Sequence, residues 1–200
     1  MKILALSCSP RRQGNTEILL DEVLNGARHD GAEVELYSVA GKKMEPCDAC
    51  RACGETGICH IKDDMQELYD KLLAADGIVI GVPVYFYTMA AQAKIIIDRS
   101  IALSRPNRRL ANKVCGLVVT AGSLGVIDVL KDLYFFIVAR QMLPAHYVAA
   151  YAMGKGDVKK RELGMKAAFE LGQQMVQIAA KKFEYPNIPR RSIAYGTHTH

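Results

Sequence analysis

Apolar residues fall in short runs separated by segments of helical period, and this alternation defines the predicted elements. The first run, Ile3-Leu4-Ala5-Leu6, breaks into the polar stretch Ser7-Cys8-Ser9-Pro10-Arg11-Arg12-Gln13-Gly14-Asn15-Thr16, and a helical pattern follows over Glu17 to Ala27. Val34, Leu36 and Ser38 alternate with polar or charged neighbours, the mark of a half-exposed edge strand. Residues 41–62 carry neither period, and so long a connection in a small domain is usually functional. Asp63-Asp64 is expected to cap a helix bearing Met65, Leu68, Leu72 and Leu73, which leads into an apolar strand from Gly77 to Val82. Pro83 is expected to turn the chain away at that strand's end, before a helix from about Thr88 to Leu103. Val114 to Thr120 reads as a further buried strand ending in the loop Ala121 to Gly125. A helix with an apolar stripe through Val126, Leu130, Leu133 and Ile137 comes next, then a strand from Ala145 to Tyr151 and a long helix from about Val158 to Lys182.

Five strands alternating with helices predict an α/β fold with a doubly wound, five-stranded parallel sheet. The order 2-1-3-4-5 puts the alternating second strand at an edge and keeps the fully apolar first, third and fourth inside. In that order a ligand lies outside the carboxyl ends of the first and third strands, so Ser7 to Thr16, Pro83 to Tyr87 and Thr120 to Gly125 border one crevice.

Composition adds the compartment and excludes some partners. The chain has 200 residues, 50% of them hydrophobic, and a net charge of +5, with basic clusters near Arg105 to Arg109, Lys159 to Arg161 and Arg190-Arg191. Those clusters lack interleaved aromatics, so no nucleic-acid partner is expected. No apolar run reaches the length of a membrane span or a signal-peptide core, and the expected location is the cytoplasm. Six cysteines in a reducing compartment are not a structural disulfide set, and four of them lie between Cys47 and Cys59.

The chemistry follows from the loops. Ser7 to Thr16 leaves a buried strand and opens a helix, so several backbone N–H groups aim at one point, a cradle suited to phosphate. Ser9, Asn15 and Thr16 can donate to the anion, Arg11 can add a charge-assisted grip, Gly14 permits tight turning, and Asn15 or Thr16 is placed as the N-cap. With the aromatic loop Pro83-Val84-Tyr85-Phe86-Tyr87 and the small-residue loop at Thr120, Gly122 and Ser123, the crevice suits a flat heteroaromatic ligand carrying a phosphate. Lys94 and Asp98-Arg99 read as helix-surface or subunit-contact charges. Cys115 reads as an inert core residue and Cys8 has no assigned role. Cys47, Cys50 and Cys53 at two-residue gaps, with Cys59 after a glycine-containing bend, suit an iron-sulfur core; zinc and free redox thiols remain alternatives. His60 is expected only to line that loop.

The chain resembles the flavodoxin-like, NADPH-dependent FMN reductases through Ser9-Pro10-Arg11 with Gly14-Asn15-Thr16, Pro83-Val84-Tyr85-Phe86, and Lys94 with Asp98-Arg99, from the N-terminus to at least Gly125. Cys8 departs from that pattern, where the family commonly has glycine. The cysteine run, with Lys62-Asp63-Asp64-Met65 behind it, is similar to the compact motif of the iron-sulfur flavoprotein family within that superfamily. The resemblance implies FMN, with Ser9, Arg11, Asn15 and Thr16 on the phosphate and residues 83–86 and 120–123 around the ring, and it implies a 4Fe-4S cluster on Cys47, Cys50, Cys53 and Cys59. The implied activity is a flavin-dependent oxidoreductase taking electrons from ferredoxin, or from NAD(P)H, to a small acceptor such as oxygen, peroxide or a quinone. Alternatives are an NAD(P)H-dependent FMN or quinone reductase without a cluster, and a non-catalytic redox-sensing or zinc-stabilised flavoprotein. The expected organisation is one domain over 1–184 with the loop 41–62 inserted, a tail over 185–200, and a homodimer or homotetramer built around the helix from Thr88.

Overall fold

The structure is a computed structural model that describes residues 1–104 and 107–186. Among the described residues there are six strands: β1 (Lys2–Ser7), β2 (Glu33–Ser38), β3 (Gly77–Tyr85), β4 (Thr88–Met89), β5 (Val114–Ala121) and β6 (Leu143–Tyr151). The helices are α1 (Asn15–His29), α2 (Cys53–Thr56), α3 (Met65–Ala74), α4 (Ala91–Arg99), α5 (Val126–Ala139) and α6 (Glu162–Ala180). The main sheet runs β2-β1-β3-β5-β6, all parallel, which is the expected 2-1-3-4-5 order once the short β4 is set aside. Residues 187–200, most of the tail expected over 185–200, lie outside the described residues.

Period-two alternation divides the apolar strands between two cores. Ile3, Ala5, Val79 and Val118 face α1 and α6, while Leu4, Leu6, Ile78, Ile80 and Leu117 face α3, α4 and α5. Helices α1 and α6 cross at glycines, since a Cβ on Gly26 would lie 1.9 Å from the Phe169 carbonyl oxygen and one on Gly172 1.9 Å from that of Val23. Only hydrogen lets these backbones approach so closely. β2 lies at one edge and is the least buried of the long strands beside β6. No helix among the described residues is long and apolar enough to cross a membrane.

Four boundaries differ from expectation. The chain does not turn away at Pro83: β3 continues to Tyr85, Phe86 and Tyr87 form a two-residue turn with φ of 48° and 69°, and β4 returns antiparallel. Hence α4 starts at Ala91, three residues later than the pattern predicts, because Thr88 and Met89 pair with Tyr85 and Val84. It stops at Arg99 and continues as a 3-10 turn over Ser100–Leu103. A 3-10 turn over Asp157–Lys160 likewise precedes α6, which runs from Glu162 rather than from Val158. The helix from the Thr88 region is not bare on several faces: Ala93 and Ile96 are buried and Ile95 and Ile97 partly covered. The exposed apolar stripe lies on α5 instead, at Ile127, Phe135 and Val138.

Candidate flavin cleft and cysteine cavity

The carboxyl ends of β1, β3 and β5 open on a cleft of about 120 Å³. Ser9, Arg11, Gly14, Asn15, Thr16, Pro83, Val84, Tyr85, Thr120 and Gly122 all line it. The phosphate loop is held by its own polar groups. Ser9 Oγ accepts from Arg11 N at 3.1 Å, and the Arg12 guanidinium reaches the Ala40 carbonyl at 2.8 Å. Gln13 N donates to the Glu17 carboxylate, which also accepts from Ser38 Oγ, so a buried glutamate fixes the turn that enters α1. Arg11 is exposed and its side chain is free to meet an anion. Gly14, rather than Asn15 or Thr16, is the N-cap, which leaves the first-turn N–H groups without a capping side chain.

Two expected phosphate ligands have other duties. The Thr16 hydroxyl bonds that of Thr120 at 2.7 Å, tying the first loop to the third beneath the cleft. The Asn15 carboxamide donates to the carbonyls of Gly154 at 2.8 Å and Ala152 at 3.3 Å, and accepts from Gly156 N at 2.9 Å and Val158 N at 3.3 Å. Its side-chain hydrogen-bonding capacity goes to the β6–α6 connection, which leaves only its backbone N–H to offer an anion. That connection supplies Ala152, Met153 and Lys155 to the lining, and none of them was read from the sequence. The strand order was the available signal, because it places the end of the fifth strand beside that of the fourth.

Phe86 and Ser123, expected beside the ring, do not line the cleft. Phe86 sits on the tip of the β3–β4 turn, 94% exposed, and Ser123 is exposed on its loop. Positive φ at two successive aromatic residues is a strained arrangement, of the kind that persists where surrounding structure enforces it. Gly125 supports it: with φ of 96°, its Cα lies so close that a Cβ would sit 2.4 Å from the Tyr87 carbonyl oxygen.

All four cysteines of the inserted loop line a second, wider cavity of about 740 Å³, which shares no residue with the first. Cys47 and Cys50 are exposed, Cys53 and Cys59 partly buried, and all six cysteines are free of disulfides. Ala49 and Arg51 have φ of 58° and 65°, and Gly57 of 68°, which wind the loop tightly. His60, expected only to line the loop, bonds Asp48 at 2.7 Å, and their donor atoms converge with that of Cys50 within 4.8 Å.

Two arginines anchor this loop. Arg109 donates to the carbonyls of Gly57 and Ala102. Arg99, expected on a helix surface, is instead fully buried and pairs with Asp63. Burial opposes the charge on both partners, but their pairing outweighs it: the Asp63 carboxyl is held below the usual carboxylate range and the Arg99 guanidinium stays protonated. The sequence pattern of α4 hid this, because a charged residue beside Ile96 and Ile97 reads as solvent-facing until the inserted loop folds over it. α4 starts next to the cleft hairpin and ends at this cavity, so within one chain about 13 Å of helix separates the two regions.

The residues fit both groups on chemical grounds. The cleft pairs the uncapped first-turn N–H groups of α1 and an exposed arginine with a wall of Pro83, Val84 and Tyr85. Four thiols line one cavity, a donor set that suits an iron-sulfur core.

The model of the NADPH-dependent FMN reductase family matches residues 1–154. An iron-sulfur flavoprotein from Methanocaldococcus jannaschii is 36% identical over 188 residues, covering 89% of this chain and 97% of its own. One from Archaeoglobus fulgidus is 32% identical over 194 residues, covering 90% and 96%. Among solved structures, a flavone reductase superposes with a TM-score of 0.73 at 24% identity, over 90% of this chain and 63% of its own, which speaks to the fold alone. The chain therefore belongs to the iron-sulfur flavoprotein family within the NADPH-dependent FMN reductase superfamily.

Proposed function

We propose that the protein is an FMN-dependent oxidoreductase that passes electrons from a one-electron donor such as ferredoxin, through a 4Fe-4S cluster on Cys47, Cys50, Cys53 and Cys59, to FMN and a small acceptor. The observation that carries this reading is the gathering of all four cysteines on one cavity, apart from a cleft that carries the anion loop. A cluster supplies single electrons and a flavin exchanges one or two, so the pair joins one-electron and two-electron chemistry.

The chain's own part is binding and orientation. Arg11 and the N–H groups opening α1 take the phosphate, and the helix dipole adds to their pull. Pro83 to Tyr85 and Thr120 to Gly122 flank the ring, and Met153 lies over Gly122, where a Cβ would meet its sulfur at 2.5 Å. The exposed Cys47 and Cys50 leave the cysteine cavity open to a protein donor. The family-model match favours a second reading, in which NAD(P)H is the reductant and the cysteines hold no cluster.

Iron and sulfide analysis of anaerobically purified protein, with visible spectra before and after dithionite, tests the reading. Cys50→Ala is expected to lose iron, keep FMN, and lose ferredoxin-driven flavin reduction while dithionite still bleaches the flavin. Iron-free wild type would overturn the cluster. Undiminished ferredoxin-driven reduction in the iron-free variant would overturn the electron path.

A further inference from the structure

We infer that Arg99 is a positioning residue that clamps the cysteine loop and raises the reduction potential of its iron-sulfur group; this rests on the cluster reading above. The Arg99 side chain has no exposed surface. Its Nη1 pairs with Asp63 and donates to the Glu45 carbonyl at 3.1 Å, and its Nη2 donates to Cys59 Sγ at 3.5 Å and to the Ile61 carbonyl at 3.3 Å. Glu45 precedes the cysteine run, whereas Ile61 and Asp63 follow it, so one guanidinium holds both ends of the insertion. The Tyr69 hydroxyl in turn donates to the Arg99 carbonyl at 3.0 Å and fixes the end of α4 against α3.

An N–H directed at a ligating sulfur draws electron density from it and favours the more negative, reduced state. Reduction adds one negative charge, and Arg99 is a buried cation whose donor reaches a cysteine sulfur. Asp63 balances the net charge of the guanidinium, but donation from Nη2 is local and directional and survives that balance. A lysine ammonium could not span Asp63, the Glu45 carbonyl and Cys59 together.

A second observation points the same way. Arg99 Nε is buried and has no hydrogen-bond partner among the described residues, and Arg99 lines the cavity that the four cysteines line. A buried donor left unpaired is costly, and a core bearing sulfide acceptors in that cavity would satisfy it.

The test uses the full chain, reconstituted anaerobically, with iron and sulfide counted and the cluster titrated potentiometrically by electron paramagnetic resonance. Arg99→Gln is expected to keep its iron and to titrate at a lower potential, by the equivalent of about a tenfold change in the one-electron equilibrium, about 59 mV. Because Asp63 is then buried without its partner, the double variant Asp63→Asn with Arg99→Gln repeats the measurement with no unpaired charge. Arg109→Gln loosens the same loop without touching a sulfur and is expected to leave the potential at the wild-type value. An unmoved potential in the iron-loaded Arg99 variants overturns the inference alone, as does an equal shift in Arg109→Gln or loss of iron from both Arg99 variants. Wild type without iron overturns the cluster reading and the inference together.

Discussion

The Asn15 carboxamide bonds the backbone of Gly154 at 2.8 Å and of Gly156 at 2.9 Å, so the first residue of α1 holds the last loop of the fold against the flavin cleft. Asn15→Ala removes four hydrogen bonds to residues 152–158. The expected cost is about 1 to 3 kcal/mol, since each bond has a modest net worth. Amide hydrogen exchange over 152–158 should accelerate and FMN should bind more weakly. Exchange at the wild-type rate would show that the loop stands without Asn15.

Arg11 has a different role, because its side chain is exposed beside the cleft. Arg11→Ala is expected to weaken FMN binding by about 1.5 to 3 kcal/mol, the worth of a charge-assisted hydrogen bond. The wild-type affinity should fall with added salt more steeply than that of the variant. Flavin fluorescence titration at two ionic strengths measures both. Extraction of FAD in place of FMN from the native protein would contradict the assigned phosphate site.

Gly125→Ala tests the hairpin. The substitution combines a positive φ with a Cβ 2.4 Å from the Tyr87 carbonyl oxygen, a backbone atom that cannot swing aside. We expect a loss of about 1 to 3 kcal/mol in thermal unfolding and weaker flavin binding through displacement of Tyr85. Unchanged melting would mean that the β3–β4 turn is free to move.

Burial alone pushes the Cys8 thiol up to about 12, and it pushes Cys115 upward as well. In the unfolded chain these thiols ionise near their ordinary value of about 8.5. Between that value and 12 the unfolded state binds fewer protons than the folded one, so stability falls as pH rises. Cys8→Ala is expected to flatten this alkaline decline in denaturant titrations from pH 8 to 11. Native Cys8 should also resist alkylation at pH 8 while exposed Cys47 and Cys50 react in metal-free protein.

Self-association is proposed over α5 rather than the helix that follows Thr88, because Ile127 and Phe135 are 73% and 66% exposed on one stripe. A homodimer or homotetramer is expected by light scattering, and Phe135→Glu should shift it towards monomer without loss of helix content. A monomeric wild type at micromolar concentration would refute it.

The sequence alone determined the five parallel strands, their order and most of the cleft. Those features rest on local patterns: continuous apolar runs for buried strands, one alternating run for the edge, and glycine-bearing polar stretches for the loops between them. Ten of the twelve residues assigned to the cofactor line one cleft because strand order alone brings the ends of β1, β3 and β5 together. The cysteine spacing was equally legible, since four cysteines within thirteen residues need no tertiary contact to be noticed. Tertiary structure decided what each polar side chain does once folded. Asn15 turned to the β6–α6 loop, Phe86 went to the tip of a hairpin that β4 pairing created, and Arg99 disappeared beneath the inserted loop. In each case the deciding partner lies far along the chain: Gly154 is 139 positions from Asn15, and Cys59 is 40 from Arg99. A side chain with several hydrogen-bonding options takes the one that packing brings within 3 Å or so and shields from water. Periodicity reports which face of an element is apolar, and it carries no information about which distant backbone carbonyl or sulfur will arrive there.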